Sequence, residues 1–166
     1  ATGCAVQLRV NLESLAPDGS VASGAGGVIG CYEPPSGPGV RVDGYGYGGY
    51  RTSAAFDSLI AKVIVHSASP DLGLAIARAR RAASEFRLTG VETNLPLLQA
   101  ILEAPEGAQG RATTTFLETH AASLVARARE IAAATPNDAV TPAIAASSAG
   151  QPAPEGAVAA EAPLRA

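Results

Sequence analysis

The stretch Leu59-Ile60-Ala61-Lys62-Val63-Ile64-Val65-His66, with Ser69-Pro70-Asp71 close behind it, decides how this chain is read. The first part is β-branched and apolar, interrupted only by Lys62, which predicts a strand near the centre of a sheet. The second part predicts a helix start, with Ser69 as the cap, Pro70 at the first helical position and Asp71 favoured by the helix dipole. That helix is expected to run towards Arg87. Its buried stripe would be Leu72, Ile76, Ala79, Ala83 and Phe86, with Arg78, Arg81 and Glu85 outside it.

Towards the N-terminus, residues Cys4 to Asn11 alternate strictly: Val6, Leu8 and Val10 share one face, and Ala5, Gln7 and Arg9 the other. This is the pattern of a half-buried strand. Asp18-Gly19 and the glycines from Gly24 to Gly27 are turn material, and Val28 to Tyr32 reads as the next strand. A Pro-rich bend, Glu33 to Gly39, releases Val40-Arg41-Val42-Asp43, in which the valines must face one way and Arg41 and Asp43 the other. A glycine and tyrosine loop, Gly44 to Tyr50, follows.

Towards the C-terminus, Gly90 makes a turn and Asn94 caps a second helix that tolerates Pro96 in its first turn and presents Leu97, Leu98, Ile101 and Leu102. A further helical pattern covers Ala121 to Ala133. Strands followed by helices predict an α+β fold, an antiparallel sheet packed against a few helices. From Thr135 onwards, prolines interrupt a run of Ala, Ser and Gly without aromatics, which buries too little to offset its ordering entropy and is expected to be a disordered linker. The expected division is a domain over 1–119, a terminal helix over 120–134 and a flexible Ala/Pro-rich segment over 135–166.

The 166 residues contain no methionine, so the chain is expected to be a fragment of a longer polypeptide. Much of the 47% apolar fraction is alanine, and the core must draw on a limited set of Val, Ile and Leu. A net charge of −3 offers no basic footprint for nucleic acid. Cys4 and Cys31 have neither disulfide density nor zinc spacing, which fits a reducing, cytoplasmic setting. No apolar run reaches the roughly 20 residues of a membrane helix, and no signal peptide is visible.

Chemistry is sparse. Gly44-Tyr45-Gly46-Tyr47-Gly48-Gly49 satisfies G-x-G-x-x-G after a strand, but loop residues and a strand follow where a dinucleotide fold needs a helix. No Walker-type loop exists. His66 and His120 lack metal-ligand spacing, are read as strand-end and helix-start residues, and no metal is expected. Lys62 is expected to pair with Asp57. Arg41 is the candidate catalytic residue, a guanidinium on a short stiff element aimed away from the core; the alternative is a surface ion pair with Asp43.

Several segments, in order, resemble the C-terminal domain of biotin carboxylases. Gly3-Cys4-Ala5 with Arg9, Asn11 and Glu13 looks like G-H-A-x-x-x-R-x-N-A-E. Gly27-Val28-Ile29, Gly37-Pro38-Gly39-Val40-Arg41-Val42-Asp43 and Phe56-Asp57-Ser58-Leu59-Ile60-Ala61-Lys62 are similar to G-x-I, G-P-G-V-R-x-D and Y-D-S-L-I-A-K. Gly90-Val91-Glu92-Thr93-Asn94 and Thr114-Thr115-Phe116-Leu117-Glu118 resemble G-V-x-T-N and T-x-F-x-E. Cys4 stands where the family usually has His, Leu12 where it has Ala and Phe56 where it usually has Tyr, and Ala25-Gly26-Gly27 replaces a P-S-P-G turn.

The resemblance implies that the intact enzyme carboxylates the ureido nitrogen of biotin, held on a carrier domain, using ATP and bicarbonate. ATP and Mg²⁺ would be bound by a preceding ATP-grasp portion, and a carboxyltransferase and a second copy of the enzyme would be further partners. The isolated fragment would be inactive. Arg41 matches the family arginine that lies beside biotin and stabilises negative charge on the ureido oxygen. The alternative role is a subunit-contact module without direct catalysis. The acceptor, an acyl-CoA of fatty acid metabolism or a keto acid such as pyruvate, is not written in this segment.

Overall fold

A computed structural model describes residues 2–16, 20–23, 26–53, 55 and 57–135. The elements run in the order β1 (Cys4–Asn11), β2 (Glu13–Leu15), β3 (Val21–Ser23), β4 (Tyr32–Glu33), β5 (Val40–Gly44), β6 (Leu59–Ser67), α1 (Leu72–Glu85), β7 (Arg87–Leu88), α2 (Leu95–Glu103), α3 (Pro105–Ala108) and α4 (Phe116–Ala134). The fold is the expected α+β arrangement. The main sheet has the order β1-β6-β5, antiparallel throughout, so the stretch Leu59 to His66 does occupy its centre. The short pairs β2-β3 and β4-β7 are accessory.

Alternation divides the sheet into two faces. Leu8, Val10, Ala61, Val63 and Val65 are buried against α1, while Gln7, Arg9, Arg41, Asp43 and His66 stand exposed on the opposite face. One irregularity breaks the period. Val10 pairs with Ala61 but Asn11 pairs with Leu59, so Ile60 is an extra residue in β6. The bulge turns Ile60 inward, and Ile60 and Ala61 are both buried although they are neighbours.

Helix α1 begins later than its sequence predicts. The cap is Asp71, whose Oδ1 accepts the Gly73 amide at 2.9 Å; Ser69 Oγ accepts the Asp71 amide at 3.1 Å in a turn ahead of the helix. The later start also leaves Leu72 in the first turn, largely outside the core, and the buried stripe is Ala75, Ile76, Ala79, Ala82 and Ala83, with Phe86 just beyond the helix end. Arg78, Arg81 and Glu85 are exposed as expected.

Val28 to Tyr32 is not one strand. It threads between two segments and bonds to each in turn: Ile29 N–H donates to the Tyr50 carbonyl at 2.9 Å, and Gly30 N–H to the Thr89 carbonyl at 2.9 Å. Only Val28, bridged to Arg51, and Tyr32–Glu33, paired with β7, have strand geometry.

Helix α2 lies between α1 and α4, which explains its apolar residues on two sides. Leu95, Leu98 and Leu102 join the main core, while Leu97, Ala100 and Ile101 pack in a second cluster with Phe116, Leu124 and Ala128 of α4. Helix α4 starts at Phe116, ahead of the pattern that opens at Ala121, because buried Phe116 anchors its first turn. The Asp18-Gly19 turn, Phe56 and the Pro-rich segment after Thr135 lie outside the described residues.

Candidate functional site

The strand β5 forms an edge of the main sheet, and its alternation sets the site. Val40 and Val42 pack against the core, so Arg41 and Asp43 emerge together on the other side. The approach is fixed by backbone bonds from Val40 N–H to the Gly37 carbonyl at 3.1 Å and from His66 N–H to the Gly39 carbonyl at 2.7 Å. Arg41 Nε donates to Asp43 Oδ1 at 2.8 Å, with the two side chains 75% and 44% exposed. Sequence spacing left a ligand-facing arginine and a surface pair as alternatives, and the structure contains the pair. The pair does not consume the arginine: only Nε is engaged, and the terminal nitrogens have no partner among the described residues. The bond to Asp43 and its charge raise the guanidinium pKa above the ordinary value, so Arg41 is a permanent cation.

Register places Lys62 opposite Asp43 on one side and opposite Arg9 on the other, and Arg41 opposite Ile64. The outer face of the sheet therefore carries Arg9, Arg41 and Lys62 with the carboxylate of Asp43 among them, an excess of positive charge on these strands that favours anions. The expected Lys62–Asp57 ion pair is not formed. Asp57 Oδ1 instead accepts the Leu59 amide at 2.9 Å, a local bond that turns the carboxylate back on its own chain at the start of β6. Both residues border an open cavity of about 630 Å³, with Asp43, Tyr45 and Tyr50 on the same rim.

The glycine loop has no phosphate cradle. No helix follows Gly49; Arg51 bridges to Val28 instead. Gly44 and Gly46 are glycines because the Tyr32 hydroxyl and ring occupy the space a Cβ would need. Tyr32 packs edge-on against Phe86 at 5.4 Å, and burial, then Tyr45, raises its pKa. A surface group that sequence reasoning missed is formed by Tyr45 and Tyr47, both edge-on to Tyr50 at 5.5 and 5.4 Å. Tyrosines spaced by two and three among glycines were its only signal.

The remaining quoted segments meet as scaffold. Asn11 Nδ2 and Ser58 Oγ both donate to Glu13 Oε1, at 2.8 and 3.2 Å. Asn94 does not cap α2 with its side chain; its Oδ1 accepts the Asn11 amide at 2.9 Å and its Nδ2 donates to the Arg9 carbonyl at 3.1 Å, tying the helix start to β1. Cys4 Sγ donates to the Ser69 carbonyl at 3.3 Å, next to the start of α1. His66, in β6, has Nε2 3.3 Å from the Thr2 carbonyl, and His120, in the first turns of α4, has Nδ1 3.0 Å from the Phe116 carbonyl. Among the described residues no three His, Cys, Asp or Glu side chains are placed to share a metal ion, and no helix is long and apolar enough to cross a membrane.

The family model of the biotin carboxylase C-terminal domain matches residues 7–119. The chain is 40% identical over 116 residues, 70% of its length, to a biotin carboxylase of Nostoc sp., of which it covers 25%. It is 36% identical over 118 residues, 71% of its length, to the 2-oxoglutarate carboxylase small subunit of Hydrogenobacter thermophilus, of which it covers 24%. Among solved structures, a single-chain, multi-domain long-chain acyl-CoA carboxylase is 41% identical, with a TM-score of 0.71 over 75% of this chain and 13% of that one. The chain thus spans about a quarter of the length of these two curated relatives.

Proposed function

The chain belongs to the family of biotin carboxylase C-terminal domains, and from that premise we propose that it forms one wall of the site where biotin on a carrier domain is carboxylated at the expense of ATP. The observation that carries this reading is Arg41, whose side chain is largely exposed on the face of the sheet opposite the core and whose terminal nitrogens stand unengaged among the described residues. Bound there, biotin would supply a ureido group whose oxygen gains negative charge as its nitrogen is activated. A guanidinium already aimed at that oxygen stabilises the charge without reorganising when it appears. The residues present fit that task, since a planar fork of free N–H donors matches an oxyanion.

They do not fit ATP or Mg²⁺: the glycine loop is filled by Tyr32, and the described residues offer no cluster of metal ligands. Those groups belong, in this reading, to an ATP-grasp portion preceding the chain in a cytoplasmic, multidomain enzyme. A carboxyltransferase, whose acceptor the relatives leave open between acyl-CoA and keto acids, would act next. Residues 1–119 would be the domain proper, 120–134 its terminal helix and 135–166 a linker.

The test is made on the chain joined to its ATP-binding portion. Arg41→Ala should lower biotin carboxylation by about a hundredfold or more, the scale of losing one preorganised oxyanion donor. The KM for ATP should change little, because the lost interaction arises only in the transition state. Arg41→Lys should recover part of the loss, keeping the charge but not the fork. Normal turnover in Arg41→Ala would leave Arg41 a surface ion pair and remove the reading.

A further inference from the structure

A cation that meets emerging charge must be in place before the charge appears, and packing does not hold Arg41, whose side chain is 75% exposed. One contact does hold it. Asp43 lies two residues along on the same face of β5 and takes the Nε–H at 2.8 Å. We infer that Asp43 is the positioning residue for Arg41, an inference that rests on the catalytic reading of Arg41.

The choice of atom is what supports orientation rather than simple neutralisation. A carboxylate that gripped the two terminal nitrogens would occupy the donors a ligand needs. Bonding at Nε fixes the plane of the guanidinium from behind and leaves the terminal nitrogens forward. The scaffold on which Asp43 stands is itself fixed. Val42 before it is packed in the core, and Gly44 after it lies against the Tyr32 hydroxyl. Register with Lys62 ties the strand to the sheet centre. The same register puts a second cation beside the carboxylate, so that Asp43 orients Arg41 without making the face locally negative. Asp43 touches no reacting atom in this account and acts only through the arginine.

Four variants of the chain joined to its ATP-binding portion test this: Arg41→Ala, Asp43→Ala, Asp43→Asn and the double alanine. Asp43→Ala should lower turnover about tenfold at unchanged KM for ATP, within the loss expected when a catalytic group is misplaced. Asp43→Asn keeps an acceptor oxygen in the same place without the charge and should stay within about threefold of the parent. In the Arg41→Ala background, Asp43→Ala should have no further effect, since residues acting as a unit are non-additive. In the 166-residue chain, the Arg41 Nε–H should exchange with water about tenfold faster once Asp43 is alanine, as expected for a donor released from its acceptor. A slow Arg41→Ala with a normal Asp43→Ala overturns the positioning role alone, as does an Asp43→Asn no faster than Asp43→Ala or an unchanged exchange rate. A normal Arg41→Ala overturns both the catalytic reading and the inference built on it.

Discussion

A methyl group at Gly90 would meet the Val28 carbonyl and the Gly30 amide, both backbone atoms, and Gly90 also has φ +83°. Gly49 has a similar φ of +89°, yet nothing lies within 4 Å of where its Cβ would be. The two positions therefore separate conformational strain from steric exclusion. Gly49→Ala should cost about 1 kcal/mol, the strain alone, whereas Gly90→Ala should cost at least about 3 kcal/mol because the backbone threaded beside it must also move. Urea unfolding of both variants measures the difference, and equal midpoints would mean that the packing at Gly90 yields easily. The same close approach explains why G-V-x-T-N is legible as a segment while its reason is not: Val28 and Gly90 are distant in sequence.

Helix α1 faces the sheet almost entirely with alanine: Ala75, Ala79, Ala82 and Ala83 are each fully buried, with Ile76 the one large side chain of its stripe. Small side chains let the helix axis come close to β6 and β1, so the volume is supplied from the sheet by Val10, Val63 and Val65. The alanine excess in the composition is thus partly structural. Ala79→Leu inserts a branched side chain into a filled layer and should destabilise the chain by about 1–3 kcal/mol. Ala77→Leu, on the exposed side of the same helix, should stay within about 0.5 kcal/mol. Thermal melting of the pair provides the check; a harmless Ala79→Leu would mean that the helix and sheet can separate without loss.

At the scale of the whole molecule, helix α1 covers one face of the sheet. Its opposite face presents exposed Arg9 and Arg41, with half-buried Lys62 and Ile64 of the central strand between them. That is the geometry of a wall rather than of a closed site. The described residues also provide neither a phosphate cradle nor a cluster of metal ligands. The chain by itself is therefore expected to release no phosphate from ATP in the presence of bicarbonate and to leave free biotin uncarboxylated. Bicarbonate-dependent phosphate release by the pure 166-residue chain would show that the nucleotide machinery lies within it after all.

Period alone determined β1, β5 and the outward course of Arg41, because a repeat of two is a property of the strand itself and needs no partner to be read; the central place of β6 followed from its β-branched, apolar composition. Part of the α1 stripe, Ile76, Ala79 and Ala83 with Phe86 beyond the helix end, was legible through its spacing of three and four, while Leu72 proved exposed and Ala75 and Ala82 were missed; the α+β class followed from the order of strands and helices. Tertiary structure alone decided wherever a group had a choice of partners. Asn94 could have capped α2 locally but bonds to Asn11 and Arg9, more than 80 residues away, because the fold sets the end of β1 beside the start of the helix. Asp57 could have reached Lys62 but accepts from Leu59, and Val28 to Tyr32 had strand composition but lies between two segments that share its hydrogen bonds. In each case the local alternatives are close in free energy, about 1 kcal/mol per hydrogen bond, and three-dimensional position selects among them. The bond from Arg41 to Asp43 belongs to both kinds: spacing by two made it available, and the packing of Val40 and Val42 put both groups on the open face.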